Sequence, residues 1–438
     1  MKAIILDGSA ANDLTGGRVR SVLLAKLQAQ GWEVEHLLLR EKKLGNCAGD
    51  FFCWIRNPGI CNIDDDNRAI ASAIVQSDLL VYLTPITFGG YASALKKAVD
   101  HQIQNVTPFF EQINGETHHQ KRYAKYADFL TLGWLDAPDV QAEAVFRQLS
   151  QRNALNFYAQ KSASGVVLAG QTDGEIEASV QGSLHDLFNG IRPQPVKLPI
   201  SAPNVSGAVP VRRALLLVGS PRTRKSTSNS LGGYLFERLR AQSIQTETIY
   251  LHTVLRSQEK MKALLEAVDA ADLVLLAFPL YVDALPAPVI EALERIAAHR
   301  AGQEKAPRQL FAAISNCGFP EAQHNATALA ICETFARQTG FAWAGGLALG
   351  AGEGLVHGAP LAEAHGPAVP IKKALDLAAA ALAAGVSIPQ TAIDLLAKGL
   401  IPGWLYRTLG GYGWKQQAKR WGAEQSLKRK SYPLEESR

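Results

Sequence analysis

"KAIILDGSA" at residues 2–10 and "RALLLVGSP" at residues 213–221 are two renderings of one pattern. In each, a short unbroken apolar run stops at Gly-Ser. Such a run, bounded by turn residues, reads as a strand buried on both faces, as in a parallel sheet. A second pair repeats the lesson: "SDLLVYLTPIT" at residues 77–87 returns as "ADLVLLAFPLY" at residues 271–281. Between the strands lie helical patterns, "GRVRSVLLAKLQAQ" closed by Gly31 in one copy and "NSLGGYLFERLRAQ" in the other. Strand and helix in alternation yield right-handed crossovers and a doubly wound parallel sheet. Two copies in register predict two tandem α/β domains.

The offset between the copies changes along the chain. Ser9 and Ser220 lie 211 positions apart, Asp78 and Asp272 only 194, so the first copy holds 17 extra residues in that interval. The extra length falls around "NCAGDFFCWIRNPGIC", residues 46–61, which carries Cys47, Cys53 and Cys61. Residues 193–210, "PQPVKLPISAPNVSGAVP", contain five prolines and read as a linker. The domain organisation expected is therefore 1–192, the linker 193–210, 211–365, and a helical, basic tail over 366–438.

With 438 residues, 47% hydrophobic and 19% charged, the chain has the composition of a globular protein of several domains. The formal charge of +5 is concentrated: from Lys398 onward nine Lys or Arg face three Glu. A neutral body with a basic tail argues against a nucleic-acid-binding protein. The five cysteines argue against a disulfide framework and for a reducing compartment, so a cytoplasmic location is expected. The tail's simplest reading is a helix packed on the domains through Trp414, Ala418 and Trp421, spaced i, i+4, i+7. Contact with a membrane surface is the less favoured alternative.

In open parallel sheets, ligands sit outside the carboxyl ends of the strands, where strand order reverses. The loops after the first strands, "GSAANDLTGG" and "GSPRTRKSTSNS", match neither GxGxxG nor GxxxxGK[ST], but both are rich in hydroxyls. Ser220, Ser226, Thr227, Ser228 and Ser230 with Arg222 suit a terminal phosphate monoester at a helix N-terminus. The same hydroxyls also suit plain helix caps. "TPITFGGY" and "FPLYVDALP" place an aromatic near the end of a second strand, fit to wall a flat ring. "TLGWLD" at 131–136 and "SNCGFPEAQHN" at 315–325, with Asn316, Gly318 and Phe319, can join that wall.

These motifs together resemble the NAD(P)H-dependent FMN reductases and iron–sulfur flavoproteins. The resemblance spans about residues 1–190 and again 211–360, through "GSPR" followed by "STS", "FPLYVDALP", "CWIRNPGICNIDDD" and "TPITFGGYASALKKAVDH". It implies two flavodoxin-like domains, each with five parallel strands. It implies that Ser220, Arg222, Ser226, Thr227 and Ser228 hold an FMN phosphate and that Pro279, Leu280, Tyr281 and Val282 border the ring. In the first domain Ser9, Thr15, Pro85, Thr87, Phe88 and Gly89 take those places, with Ala10 and Ala11 where the family prefers Pro and Arg. It implies NAD(P)H as reductant and a quinone, flavin or other small molecule as acceptor, and it allows a homodimer. A non-catalytic FMN carrier and a scaffold with empty sites are the alternatives. No catalytic acid or base is expected.

Cluster-bearing members of the resembled family carry C-x2-C-x2-C and then a fourth Cys. Cys47, Cys53 and Cys61 fit that pattern, with Asp50 where the second thiolate belongs. Thiolates are the usual cluster ligands, and zinc would face the same shortage. The expectation is no metal and no iron–sulfur cluster, and a loop whose Phe51, Phe52 and Trp54 pack near the first domain's flavin edge. Asp64–Asp66 read as helix-capping acids, and His118 and His119 as solvated. Cys317 is placed in a loop and Cys332 in the core.

Overall fold

The computed structural model describes residues 1–190, 205, 207–303 and 308–432, so the segment expected as a linker lies largely outside the described residues. The chain divides into two compact units, Met1–Val196 with Trp404–Arg438, and Lys197–Gly403.

The first unit runs β1 (Lys2–Asp7), α1 (Leu14–Ala29), β2 (Glu33–Leu38), α2 (Phe52–Ile55), α3 (Asn67–Gln76), β3 (Leu79–Thr87), β4 (Gly90–Tyr91), α4 (Ser93–Asp100), β5 (Val106–Ile113), β6 (Glu116–Lys121), β7 (Asp128–Leu135), α5 (Val140–Asn156), β8 (Ser162–Leu168) and α6 (Asp173–Asn189). Five strands form a parallel sheet in the order β2-β1-β3-β7-β8. This is the doubly wound order in which the chain reverses between β1 and β3. Ala3, Ile4, Ile5 and Leu6 are fully buried, as expected of a strand covered by helices on both faces. β4 folds back on β3, and β5 pairs antiparallel with β6 as a separate ribbon.

The second unit repeats the plan with β9 (Arg213–Val218), α7 (Thr227–Arg240), β10 (Gln245–Tyr250), α8 (Leu251–Val254), α9 (Gln258–Ala270), β11 (Leu273–Pro279), α10 (Ala287–Ala301), β12 (Leu310–Asn316), α11 (Ala326–Gln338), β13 (Ala342–Leu349) and α12 (Gly352–Val356). Its order is β10-β9-β11-β12-β13. Equivalent positions do equivalent work. Asp78 accepts a backbone hydrogen bond from Lys2, and Asp272 accepts from Arg212 and Arg213, each at 2.8–2.9 Å. Gly8 and Gly219 donate to Leu83 and Ala277, both at 2.8 Å. Both are glycine because a Cβ would lie 2.8 Å from Leu95 Cβ in one copy and 2.5 Å from Val289 Cγ2 in the other.

The C-terminal region is shared between the units. α13 (Ala368–Ala383) and α14 (Gln390–Ala397) bury Ile371, Leu375, Leu382, Ile393 and Leu396 in the second unit's core. From Trp404 onward, α15 (Gly403–Lys419) and the segment after it belong to the first unit. There Trp414, Ala418, Ala423 and Leu427 join Cys53, Trp54, Ile55, Val106 and Tyr158 in one apolar cluster. Trp414 meets Phe51 and Trp54 edge-on at 5.3 Å, and Arg122 donates to the carbonyls of Leu427 and Arg429. Trp421 stays half exposed, edge-on to Phe52 with Arg56 over its ring.

Three local expectations change. Phe51, Phe52 and Trp54 pack against this tail rather than against a strand-end loop. His118 is buried and His119 lies between Trp54 and Phe110, because the ribbon that carries them is part of the same packing. Burial, reinforced by His118, pushes His119 down to about 3, so it is neutral. Of the acids expected to cap α3, Asp65 does accept from Asn67 N at its start, but Asp65 and Asp66 also take the backbone N–H groups of Gly45 and Lys43, fastening the cysteine insertion's entry, and Asp66 makes no side-chain cap.

Candidate functional site

The C-terminal edge of the second sheet gathers the predicted groups. Ser220 is buried at the end of β9, and its hydroxyl accepts from Arg222 N. Ser226 caps α7: its hydroxyl accepts from Asn229 N at 3.1 Å and donates to Thr223 O at 2.6 Å. Thr227 and Ser228 follow, both buried in the helix's first turn. Ser228 accepts from Asn316 Nδ2 at 2.9 Å, and the same amide donates to Phe278 O. Asn316 thus ties β11, β12 and α7 together, and Ser228 is engaged with it.

The turn after β11 is a two-residue hairpin. Tyr281 and Ala284 exchange both backbone hydrogen bonds, while Val282 and Asp283 have φ of 48° and 57°. The first domain has the same device at the same offset. Thr87 pairs with Gly90, and Phe88 and Gly89 have φ of 54° and 82°. Two consecutive positive φ values define a primed turn, which favours glycine and costs a β-branched residue such as Val282. Leu280 N donates to Asn316 O, holding Pro279 and the turn beside Gly318 and Phe319. Phe319 packs against His324 with the rings tilted and their centroids 4.6 Å apart, and Cys317 is buried.

One acidic residue at this edge is absent from the sequence reading. Glu353 on α12 takes Arg222 as a bidentate partner, Nη1 to Oε1 at 2.9 Å and Nη2 to Oε2 at 2.5 Å. Thr227 Oγ1 lies 3.5 Å from the same Oε2. Burial would raise this carboxyl, but Arg222 overrides it and holds Glu353 below its ordinary value. The chain around it lies hard on the loop: a Cβ at Gly358 would fall 2.4 Å from Lys225 O.

The first domain's loop is built differently. Asp7, buried at the end of β1, accepts from Ser9 N, Arg20 and His36. Arg40 reaches Ser9 O and Oγ at 3.3 Å. Asp13 caps α1 through Gly16 N at 2.8 Å, and its other oxygen accepts from Trp134 Nε1 at 2.9 Å. Thr15 sits half buried in the helix's first turn, and Pro85 and Thr87 lie half buried on the strand before the turn. A helix N-terminus already capped by a carboxylate, whose second oxygen is fixed by an indole, is a poor seat for a phosphate.

The cysteine insertion forms a small cavity of about 10 Å³ lined by Cys47, Asp50, Phe51, Cys53, Cys61 and His101. Cys61 Sγ lies 3.5 Å from His101 Nδ1, whose Nε2 is 2.9 Å from Gly45 O. Asp50 accepts from Phe52 N, so the carboxylate at the missing-thiol position caps α2's approach. Burial pushes the Cys47 thiol up to about 12 and also raises Cys53 well above its ordinary value. Among the described residues no group of three His, Cys, Asp or Glu is arranged to hold a metal ion. Nor is any described helix long and apolar enough to cross a membrane.

A family model described as NADPH-dependent FMN reductase matches residues 1–124 and, a second time, residues 212–331. The chain belongs to the NADPH-dependent FMN reductase family. Both matches take in a strand-one loop and a primed turn, and the second ends before Glu353. An iron–sulfur flavoprotein of Methanocaldococcus jannaschii is 29% identical over 100 residues, 23% of this chain and 51% of that protein. The chain thus spans about half the length of this curated relative. An FMN-dependent NADH-azoreductase from Bacillus anthracis, solved with FMN, is 13% identical, covering 39% of this chain and 99% of that one at a TM-score of 0.30. A putative quinone reductase from Klebsiella pneumoniae is 13% identical over 45% of this chain and 88% of that one, with a TM-score of 0.31.

FMN ends in a phosphate monoester, and the two domains differ at their first loops. In the second, Arg222 and Thr227 already face an anion, the Glu353 carboxylate. Hydroxyls, a guanidinium and a helix N-terminus suit such a group. In the first, Asp13 occupies the equivalent helix start as a cap.

Proposed function

We propose that this chain is an FMN-dependent oxidoreductase that takes reducing equivalents from NAD(P)H and passes them to a small acceptor such as a quinone or a flavin, with FMN held by the second domain. The observation that carries the reading is the Glu353 carboxylate held by Arg222 and faced by Thr227 at the start of α7. Bound FMN would supply the redox chemistry, with the protein providing placement and electrostatics. Ser226 keeps the first turn of α7 aimed at the seat, and Asn316 holds Ser228 and β12 in register behind it. The Tyr281–Ala284 turn and the Cys317–Phe319 loop supply the walls for a flat ring. The reading asks no side chain to act as acid or base. The first domain then serves as a structural partner, its loop closed by Asp13 and Trp134.

The test is direct. Protein purified with its flavin should lose the oxidised-flavin absorbance on anaerobic addition of NADPH or NADH and recover it with a quinone. Flavin that stays oxidised with both nicotinamides would favour a carrier instead.

A further inference from the structure

We propose that Glu353 is an internal competitor for the phosphate seat of the second domain, and that it lowers this domain's affinity for a phosphate-bearing flavin while leaving a phosphate-free one unaffected. The inference rests on the reading that FMN's phosphate enters this seat, and it goes beyond it by giving α12 a role.

Five observations converge. Glu353 engages Arg222 through both carboxylate oxygens, the geometry by which a guanidinium takes a phosphate. Thr227, in the first turn of α7, faces the same oxygen. The helix that carries Glu353 is five residues long and is entered and left through left-handed non-glycine residues, Ala351 at φ 54° and His357 at φ 52°. It turns sharply onto the loop and sharply off it, and such positions cost energy that the surroundings must supply. Gly352 and Gly358 permit the contact, because a Cβ at the first would lie 3.0 Å from Asn316 Cβ and at the second 2.4 Å from Lys225 O. The segment also lies beyond the second family match, which ends at residue 331.

The electrostatics decide what can displace it. A carboxylate brings one charge and two oxygens, whereas a phosphate monoester brings about −1.5 to −2 charges and three acceptor oxygens. Arg222 and the start of α7 therefore favour the phosphate, but only after the pair with Glu353 opens. A flavin without a phosphate offers Arg222 only neutral hydroxyls, which do not compete with a carboxylate, and leaves the pair in place. Because apparent affinity falls with the fraction of protein that is competent, a latch closed nine-tenths of the time would weaken FMN about tenfold.

The experiment titrates flavin-free full-length protein with FMN and with riboflavin, following flavin fluorescence, for wild type, Glu353→Gln and Arg222→Ala. Glu353→Gln should bind FMN about tenfold more tightly with riboflavin unchanged, and Arg222→Ala should weaken FMN. A gain in affinity cannot arise from misfolding, so the Gln variant reads the latch itself. If Glu353→Gln binds FMN as wild type does while Arg222→Ala still weakens it, the latch is overturned and the seat stands. Equal tightening of FMN and riboflavin would also overturn it, since Glu353 would then be acting on the ring. If Arg222→Ala leaves FMN binding unchanged, the seat itself is wrong and the latch falls with it.

Discussion

Asp7 and Ser226 sit at corresponding loops and illustrate two kinds of polar burial. Asp7 is fully buried, and its hydrogen bonds from His36, Ser9 and Arg20 outweigh desolvation and lower it to about 2. A carboxyl depressed in the folded state stabilises above its unfolded pKa and loses that contribution as pH falls through the folded value. Between about pH 4 and pH 2 the wild type should therefore lose about 2 kcal/mol that Asp7→Asn never had, read from urea denaturation across that window. Ser226 was legible from sequence as either phosphate donor or helix cap, and its hydroxyl is seen capping α7. Ser226→Ala should cost about 1 kcal/mol of stability, measured by chemical denaturation without flavin, in addition to any loss of FMN. Glu353 was not legible, because an acid in "AGEGLVHG" gains meaning only when β13 delivers it opposite Arg222, more than a hundred positions away.

Elements show the same division between pattern and partner. The apolar runs of β1, β3, β9 and β11 announce buried strands, and the aromatic-bearing loops announce something at their ends. That those loops are primed turns is less visible, since Val282 and Phe88 are poor residues for positive φ. α4 carries a surprise that periodicity cannot express: Lys96 and Asp100 form a fully buried ion pair one turn apart. Removing one partner of a buried ion pair is strongly destabilising, so Asp100→Asn should destabilise the first unit by about 3 kcal/mol, read by thermal or chemical unfolding. α15 is readable as a helix from the spacing of Trp414 and Ala418, although Trp421 falls beyond its end and stays half exposed, and nothing in that spacing names the cysteine insertion as what the helix covers. Likewise His118 and His119 look solvated in a polar stretch until the ribbon is packed against distant residues. Trp414→Ala should open that cluster, raising the rate at which a thiol reagent labels Cys53 under native conditions, with labelling kinetics as the check.

At the scale of the molecule, the repeat is the strongest statement in the chain. It survives from the quoted strands through the shared Asp78 and Asp272 clasps to turns with paired positive φ in both copies. The copies diverge where a ligand would be held: one loop is rich in hydroxyls and faces a short acidic helix, the other is closed by its own Asp13 and by Trp134. These unequal loops underlie the proposal that only the second domain binds flavin. The measurement that tests this most directly is the FMN content per chain of the purified full-length protein saturated with FMN, beside that of Arg222→Ala combined with Ser226→Ala. One FMN per chain, released in the double variant, is the expected result. Two per chain, or one that survives the double substitution, would contradict it.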